Sequence, residues 1–230
     1  FGFPVRVTAR TYAGHEGLVN IEREVKLSGP IHDKGVLILH SYVAALFSHI
    51  APLALNASVV FEQEYSGVEG DSASCAELYA LLSSLSGLPL KQNIAVTGAV
   101  NQNGDVLPVG GVNEKIEGFF RTCQAQGLDG TQGALIPRRN RHHLMLSQDV
   151  LNAVAQGQFH IYTADHASEG AALLMGTPFG QHLRGGSYEP GSILALADKT
   201  LQAYRRACHK EPAPEARLLS HKFSKQLGGK

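Results

Sequence analysis

Residues 67–76 read Gly67-Val68-Glu69-Gly70-Asp71-Ser72-Ala73-Ser74-Cys75-Ala76, and a helical pattern begins directly behind Ser72. The apolar stripe of that pattern consists of Cys75, Leu78, Tyr79, Leu82 and Leu85, with helical spacing. Ser72 therefore stands where a glycine-rich turn enters a helix, a place with unpaired backbone N–H groups and a positive dipole end. These groups would stabilise an oxyanion beside a nucleophilic serine. A serine that only caps the helix uses the same position, so both interpretations stay open here.

The composition is that of a compact, loop-rich globular protein. Charged residues make up 17 % of the 230 residues, and 25 residues are glycine. Twenty basic and twenty acidic side chains cancel, which argues against a general role in binding nucleic acid or a membrane surface. The sequence contains no apolar run of the roughly 18 residues that span a bilayer. The length fits one domain, or one domain with an appendage.

The cysteines indicate the redox environment of the protein, and the first residue bears on whether the chain was part of a longer one. Cys75, Cys123 and Cys208 are odd in number and widely spaced, which is typical of reduced, buried cysteines in a cytosolic protein rather than of a disulfide framework. The chain opens with Phe1 rather than Met, and one interpretation is that it was excised from a longer protein.

The first part of the chain mixes strands and helices. Apolar and polar residues alternate over 5–9 and 18–24, around a glycine turn, which predicts a β-hairpin. Apolar spacing of three and four predicts a helix over 35–50. A strand over 57–63 then leads into the turn that carries Ser72.

The second part continues this mixture. Asn103-Gly104 stands between two apolar runs, 93–100 and 106–109, and predicts a second hairpin. A helix is predicted over 112–126. The remaining predicted elements are a strand over 134–137, a helix near 147–156, a strand over 159–163 and a helix near 167–175. The fold class is therefore α+β (mixed α/β), with small sheets and hairpins packed by helices, rather than a doubly wound sheet.

The sequence changes character near residue 180, and we divide it into domains 1–180 and 181–230. Two glycine-containing pairs, Gly185-Gly186 and Pro190-Gly191, predict a linker, and 192–207 can form one amphipathic helix. Basic residues dominate the end of the chain, which favours a solvated, partly flexible tail; contact with an anionic partner is the alternative.

A second helix start has an unusual lysine. Gly110-Gly111 precede a helix whose first turn carries Lys115, with Phe119 one turn further on. The helix dipole and burial both lower the pKa of an ammonium group at this place, and a neutral amine can act as general base for a serine. The alternative is a solvated lysine in the field of Glu114 and Glu117, although neither acid is three or four residues away.

Ser72 and Lys115 reinforce each other as a candidate pair. A predicted strand between them carries Thr97, whose hydroxyl could hold the amine in place. Other sites have less support: His142-His143 lies in an arginine-rich polar loop, no Cys/His spacing indicates zinc, and the sequence has no phosphate-binding P-loop motif.

Three segments, in this order and spacing, resemble the proteolytic domain of the Lon protease family. They are Glu69-Gly-Asp-Ser72, Thr97-Gly98 and Leu107-Pro-Val-Gly-Gly-Val-Asn-Glu-Lys115. The resemblance extends over roughly residues 5–176, and the E-G-D-S form is similar to the B-type branch of the family.

The resemblance implies a Ser–Lys dyad of Ser72 and Lys115, with Thr97 in support and with Glu69 and Asp71 in the hydrogen-bond network of the active site. It implies a cytoplasmic serine endopeptidase that hydrolyses peptide bonds of unfolded or damaged proteins and forms a hexameric ring. No cofactor is expected in this chain; ATP would serve only a fused or associated ATPase module. No membrane partner is expected.

Two other functions remain as alternatives. The first is a catalytically latent assembly module, in which Asp71 or Glu69 keeps Lys115 protonated. The second, weaker alternative is nucleic-acid binding through the basic tail and the arginines of 138–141, which would depend steeply on salt.

Overall fold

The sheet that begins the chain contains both antiparallel and parallel strand pairs. The structure is a computed structural model and describes residues 2–184 and 186–209. Strand β1 (Arg6–Ala13) is antiparallel to β3 (Leu55–Glu62), and β2 (Gly17–Asn20) is parallel to β3, so the order is β1-β3-β2. Helix α1 (Ile21–Glu24) follows β2 directly.

The hairpin predicted over 5–9 and 18–24 is wrong, because β3 lies between the two strands that would have formed it. Strand β3 is more completely buried than β1 or β2, and it takes the central position with both of its edges paired. The alternation in the first two segments is the pattern of edge strands with one exposed face, and it does not say which neighbour each strand has.

Two helices then flank the turn that carries Ser72. Helix α2 (Pro30–Leu46) begins five residues before the predicted start at 35, with proline in its first turn, and a 3₁₀ turn at Ser48–Ile50 follows it. Helix α3 (Ser74–Ser86) begins two residues after Ser72, and Gly87, which has the left-handed conformation, caps its C-terminal end.

The predicted strand over 93–100 is divided between two sheets. Strand β4 (Ile94–Val96) joins a parallel sheet of order β4-β7-β8, whereas β5 (Ala99–Val100) pairs with β6 (Val106–Leu107) in the predicted second hairpin. The break falls at Thr97 and Gly98. The remaining elements are α4 (Val112–Gln126), β7 (Gly133–Pro137), α5 (Gln148–Ala155), β8 (His160–Ala164), α6 (Ala167–Met175) and α7 (Ile193–Cys208), close to their predicted bounds.

Two apolar cores hold these elements together. The larger joins α2, α3, α6 and α7 with the first sheet, and the smaller joins α4 and α5 with β7 and β8. Small sheets packed by helices confirm the α+β class. The helix predicted over 192–207 is α7, which buries Ile193, Ala197 and Leu201 in the larger core. The division of the chain at residue 180 stays a prediction, and the tail over 210–230 lies outside the described residues.

The cysteines are free, as the sequence predicts. Cys75 and Cys123 are buried, and Cys208 is partly exposed. In the described segments, every helix is too short or too polar to cross a bilayer.

Candidate active site

The turn that carries Ser72 depends on two glycines and on pairing with the segment before α2. Gly67 and Gly70 have φ angles of 98° and 82°, which side chains rarely adopt. The backbone N–H of Val68 donates to the carbonyl of Leu27 at 2.8 Å, and that of Gly29 donates to the carbonyl of Val68 at 2.9 Å. The turn is therefore fixed at its start by backbone hydrogen bonds to a distant part of the chain.

Ser72 does not cap the helix behind it. The N-cap of α3 is Ala73, and Ser74 supplies the local side-chain hydrogen bonds: its hydroxyl donates to the carbonyl of Asp71 at 2.9 Å and accepts from the N–H of Val100 at 3.0 Å. The hydroxyl of Ser72 thus stays available for another partner, and the capping interpretation does not describe this residue.

That partner is Lys115. Gly111, the N-cap of α4, has a φ angle of 66°, and Lys115 follows one helical turn later, half-buried. Its Nζ lies 2.9 Å from Ser72 Oγ and 3.3 Å from Thr97 Oγ1. The Thr97 hydroxyl in turn donates to the Ser72 carbonyl at 3.2 Å. The side chains of Ser72, Thr97 and Lys115, which come from three separate segments, therefore meet at one point.

The break between β4 and β5 aligns the serine turn with this lysine. The N–H of Gly98 donates to the carbonyl of Ser72 at 2.7 Å, and the carbonyl of Gly98 accepts from the N–H of Cys75 at 3.1 Å. The N–H of Thr97 donates to the carbonyl of Leu135 in β7 at 3.1 Å. The turn is thereby connected to the parallel sheet through Thr97 and Gly98.

Burial lowers the pKa of the Lys115 ammonium group, and the nearby carboxylate of Asp71 partly opposes this effect. Among the described residues, Lys115 makes no ion pair within 4 Å. A desolvated amine without a carboxylate partner gives up its proton more readily than an exposed lysine. The environment of Lys115 thus shifts its proton equilibrium towards the neutral amine, the form that can accept a proton.

The two acids before Ser72 occupy different environments. The carboxylate of Glu69 lies against Gly29, the N-cap of α2, where a Cβ on that glycine would collide with it. The positive end of the α2 dipole favours a carboxylate there. Asp71 packs its Cβ against Gly35 of α2 and acts on Lys115 through space. The structure brings Asp71 to the dyad and leaves Glu69 at the start of α2.

Backbone donors are present beside the serine hydroxyl. Neither the N–H of Ser72 nor that of Ala73 has a hydrogen-bond acceptor among the described residues. Both precede the first turn of α3, where the helix dipole adds positive potential. Such N–H groups can stabilise an oxyanion that forms at Ser72.

Sequence reasoning missed a buried polar cluster behind the turn, formed by Asn20, Glu22, His32 and Glu77. All four side chains are at most 3 % exposed. The available signal was the position of His32, which shares one face of α2 with Val36, Leu39 and Val43. A histidine on an apolar helix face is buried and therefore needs polar partners.

A separate cavity lies away from Ser72 and Lys115. It has a volume of about 770 Å³ and includes His49, His166 and His182 in its wall. His166 caps α6 by accepting from the N–H of Ser168, and His49 pairs with Asp198 at 2.9 Å, so both rings have structural roles. Over residues 2–184 and 186–209, no group of His, Cys, Asp and Glu side chains could hold a metal ion.

Comparisons with known proteins agree with the motifs around this site. The model of the Lon protease (S16) C-terminal proteolytic domain matches residues 66–174. The chain is 43 % identical over 175 residues to a protein of Escherichia coli strain K12 described as a Lon protease homologue, which covers 76 % of this chain and 30 % of that protein. A similarly described protein of Haemophilus influenzae is 43 % identical over 176 residues, which is 76 % of this chain and 29 % of that protein.

An archaeal Lon protease of Thermoplasma volcanium is 33 % identical over 147 residues, which is 63 % of this chain and 21 % of that protein. The chain thus spans less than a third of the length of the curated relatives that it matches. The matched region contains the serine turn, the β4–β5 break and the start of α4. The chain therefore carries a proteolytic domain of the Lon protease family.

Proposed function

We propose that this domain is a serine endopeptidase that hydrolyses peptide bonds with Ser72 as nucleophile and Lys115 as general base. The single observation that carries the proposal is the distance of 2.9 Å between Lys115 Nζ and Ser72 Oγ. A nucleophile and its base must lie within hydrogen-bond reach, and the lowered pKa of the lysine favours the form that accepts a proton.

The reaction begins when the neutral amine of Lys115 takes the proton of Ser72 Oγ, which attacks the scissile carbonyl carbon. The N–H groups of Ser72 and Ala73 donate to the oxyanion, each worth about 3 kcal/mol in comparable sites. The ammonium of Lys115 then gives its proton to the leaving amine. Water, activated by the same lysine, hydrolyses the acyl-enzyme.

Thr97 and Asp71 have supporting roles in this proposal. The Thr97 hydroxyl accepts from Nζ and donates to the Ser72 carbonyl, so it fixes the amine relative to the turn that carries the nucleophile. Asp71 adjusts the proton affinity of Lys115 through space. We assign Glu69 to the shape of the turn, because its carboxylate lies at the start of α2.

The wider setting follows from the family. Unfolded or damaged proteins in the cytoplasm are the proposed substrates, and a hexameric ring is the proposed assembly. ATP would be needed only by an ATPase module fused to or associated with this domain, since the proposed chemistry of the dyad uses no cofactor.

The test is cleavage of casein by the purified chain and by two variants, Ser72→Ala and Lys115→Ala. Each variant is expected to lose at least about a thousandfold in rate, because the two groups act as one unit. A fluorophosphonate should label Ser72 in the unmodified chain. Lys91→Ala, which removes an exposed lysine, serves as the matched control and should keep full activity.

Near-normal cleavage by Lys115→Ala would contradict the dyad. A chain that neither cleaves casein nor reacts with the fluorophosphonate at any pH would instead support the latent assembly module. The observation that favours this second candidate is the influence of Asp71, which raises the pKa of Lys115 and so favours its protonated form.

A further inference from the structure

The ring of His32 is buried directly behind the turn that carries Ser72. His32 lies on the first turn of α2 and is 1 % exposed. The backbone of Gly70, two residues before Ser72, is among the groups that interact with its ring. Phe61 of β3 closes another side, with its ring edge-to-face to the imidazole at 5.5 Å between centroids.

The N-terminal half of α2 follows the serine turn residue by residue. Glu69 lies against Gly29, the ring of His32 faces Gly70, and Asp71 packs on Gly35 at the spacing that places these α2 residues on one face. A shift of α2 would therefore move the backbone on which Ser72 depends.

The hydrogen bonds of Asn20 determine which nitrogen of His32 faces Gly70. The Asn20 side-chain oxygen accepts from the N–H of Arg23 at 3.0 Å, so its amide nitrogen is the group that points to His32 Nε2 at 3.3 Å. Nε2 therefore accepts, and the proton of the neutral ring is on Nδ1. Nδ1 is then the donor available to the carbonyl of Gly70.

The surroundings keep this ring neutral. Burial lowers the pKa of His32, and the carboxyl groups that partly oppose this effect come from α1, α2 and the serine turn: Glu22, Asp33 and Glu69. Burial and the neighbouring Glu22 raise the pKa of Glu77 to about 8, so Glu77 is mostly protonated at neutral pH. Its Oε1 lies 3.6 Å from His32 Nε2.

We propose that His32 is a positioning residue: the neutral imidazole, oriented by Asn20 and Glu77, donates from Nδ1 to the carbonyl of Gly70 and thereby sets the place of Ser72 Oγ relative to Lys115. This inference rests on the proposed Ser72–Lys115 reaction. His32 contacts neither substrate nor the reacting atoms. Its effect on the rate is expected to act through the backbone of the turn.

The test compares His32→Leu with His32→Asn in the full chain. Leucine fills the space without a donor, whereas asparagine places an amide N–H at the position of Nδ1. His32→Leu should lower kcat for casein cleavage and the rate of Ser72 labelling by a fluorophosphonate about tenfold to a hundredfold, with little change in KM. His32→Asn should stay within about threefold of the unmodified chain in both measurements.

His40→Leu is the matched control, because it makes the same change on an exposed position of the same helix. It should leave both rates unchanged. A folded His32→Leu variant with unchanged kcat and labelling rate would overturn the proposal. So would a folded His32→Asn variant as slow as His32→Leu, since a role in packing alone would then account for both.

Nitrogen-15 NMR of the unmodified chain gives a reading that does not depend on the folding of any variant. The proposal expects His32 to remain neutral at pH 7 with its proton on Nδ1, and a proton on Nε2 would overturn it. The Ser72→Ala variant distinguishes a failure of the positioning role of His32 from a failure of the proposed function. An inactive Ser72→Ala beside a fully active, folded His32→Leu refutes only the positioning role, whereas an active Ser72→Ala refutes the proposed function itself.

Discussion

Lys115 is subject to two opposing influences. Burial favours its neutral amine, and the carboxylate of Asp71 favours its ammonium form. The balance between them sets the pH at which the proposed base begins to work, because only the neutral amine can accept the serine proton. Since Asp71 and Lys115 form no ion pair, this influence acts through space, and the charge of Asp71 can be removed with little change in packing.

Asp71→Asn should lower the pKa of Lys115 further, because it removes the group that raises it. Activity is expected to rise with pH as Lys115 loses its proton, so the acidic limb of the pH–rate profile should move to lower pH. The measurement is kcat/KM for a peptide substrate across the pH range, with Asp149→Asn on the exposed face of α5 as the control. A limb that stays in place or moves to higher pH would contradict this account.

The sequence predicts that Ser72, Thr97 and Lys115 lie close together. Each stands beside glycines or at a helix start, so the residues next to it in the sequence are enough to indicate its role. The place of Glu69 at the start of α2 could not be predicted in this way. It depends on how α2 packs against the turn, and that contact joins residues 40 apart in sequence. The buried cluster around His32 escaped notice for the same reason.

The division of residues 93–100 into β4 and β5 is the feature that joins the serine turn to the lysine. Gly98 lies in the break, where a Cβ would be 3.0 Å from Cys75 Sγ and 3.3 Å from Val106. The close approach of the two segments depends on the absence of a side chain there. The sequence showed one apolar run at this place and gave no sign of the change of sheet.

Gly98→Ala should lower the free energy of unfolding by about 1–3 kcal/mol, because the added methyl group overpacks the contact with α3. It should also slow the labelling of Ser72, since Gly98 donates to the Ser72 carbonyl. Urea unfolding and fluorophosphonate labelling measure the two effects. Gly98→Ala should lower the free energy of unfolding by less when Cys75→Ala is already present. An equal loss with and without Cys75→Ala would show that contact with the sulfur atom does not cause the destabilisation.

Helix α4 keeps its predicted bounds, because helical periodicity defines it by itself. The second hairpin forms at the predicted place but retains only Ala99–Val100 and Val106–Leu107 of its two predicted strands. The prediction of the first hairpin is wrong because β1 and β2 both pair with β3 and not with each other. Strand β3, 35 residues further along the chain than the end of β2, displaces the pairing that sequence order favours. A short alternating segment carries no information about such a distant partner.

The larger apolar core, which joins the first sheet with four helices, includes α7 as well as the earlier helices. Leu201 is 1 % exposed, and α7 packs on both α3 and β1. The sequence predicted the helix itself but placed a domain boundary before it, because glycine-rich stretches resemble linkers. Whether a helix belongs to a domain depends on the surface that it covers, which local composition does not reveal.

Leu201→Ala tests that boundary. If α7 unfolds together with the protease fold, the change should lower the free energy of unfolding of the entire domain by about 2–5 kcal/mol in one cooperative transition. Lys199→Ala, a change at an exposed position of the same helix, should lower the free energy of unfolding far less. A main transition that keeps its midpoint in Leu201→Ala would favour two independent units divided near residue 180.

The wide sequence separation of Ser72, Thr97 and Lys115 has a consequence for newly made protein. Under the proposed function, the nucleophile gains its base only after α3, the β4–β5 break and α4 have all packed, and such non-local contacts form late. A chain still emerging from the ribosome would therefore hold an inert serine. Cells that produce this enzyme would be spared premature digestion of neighbouring nascent proteins without any separate inhibitor.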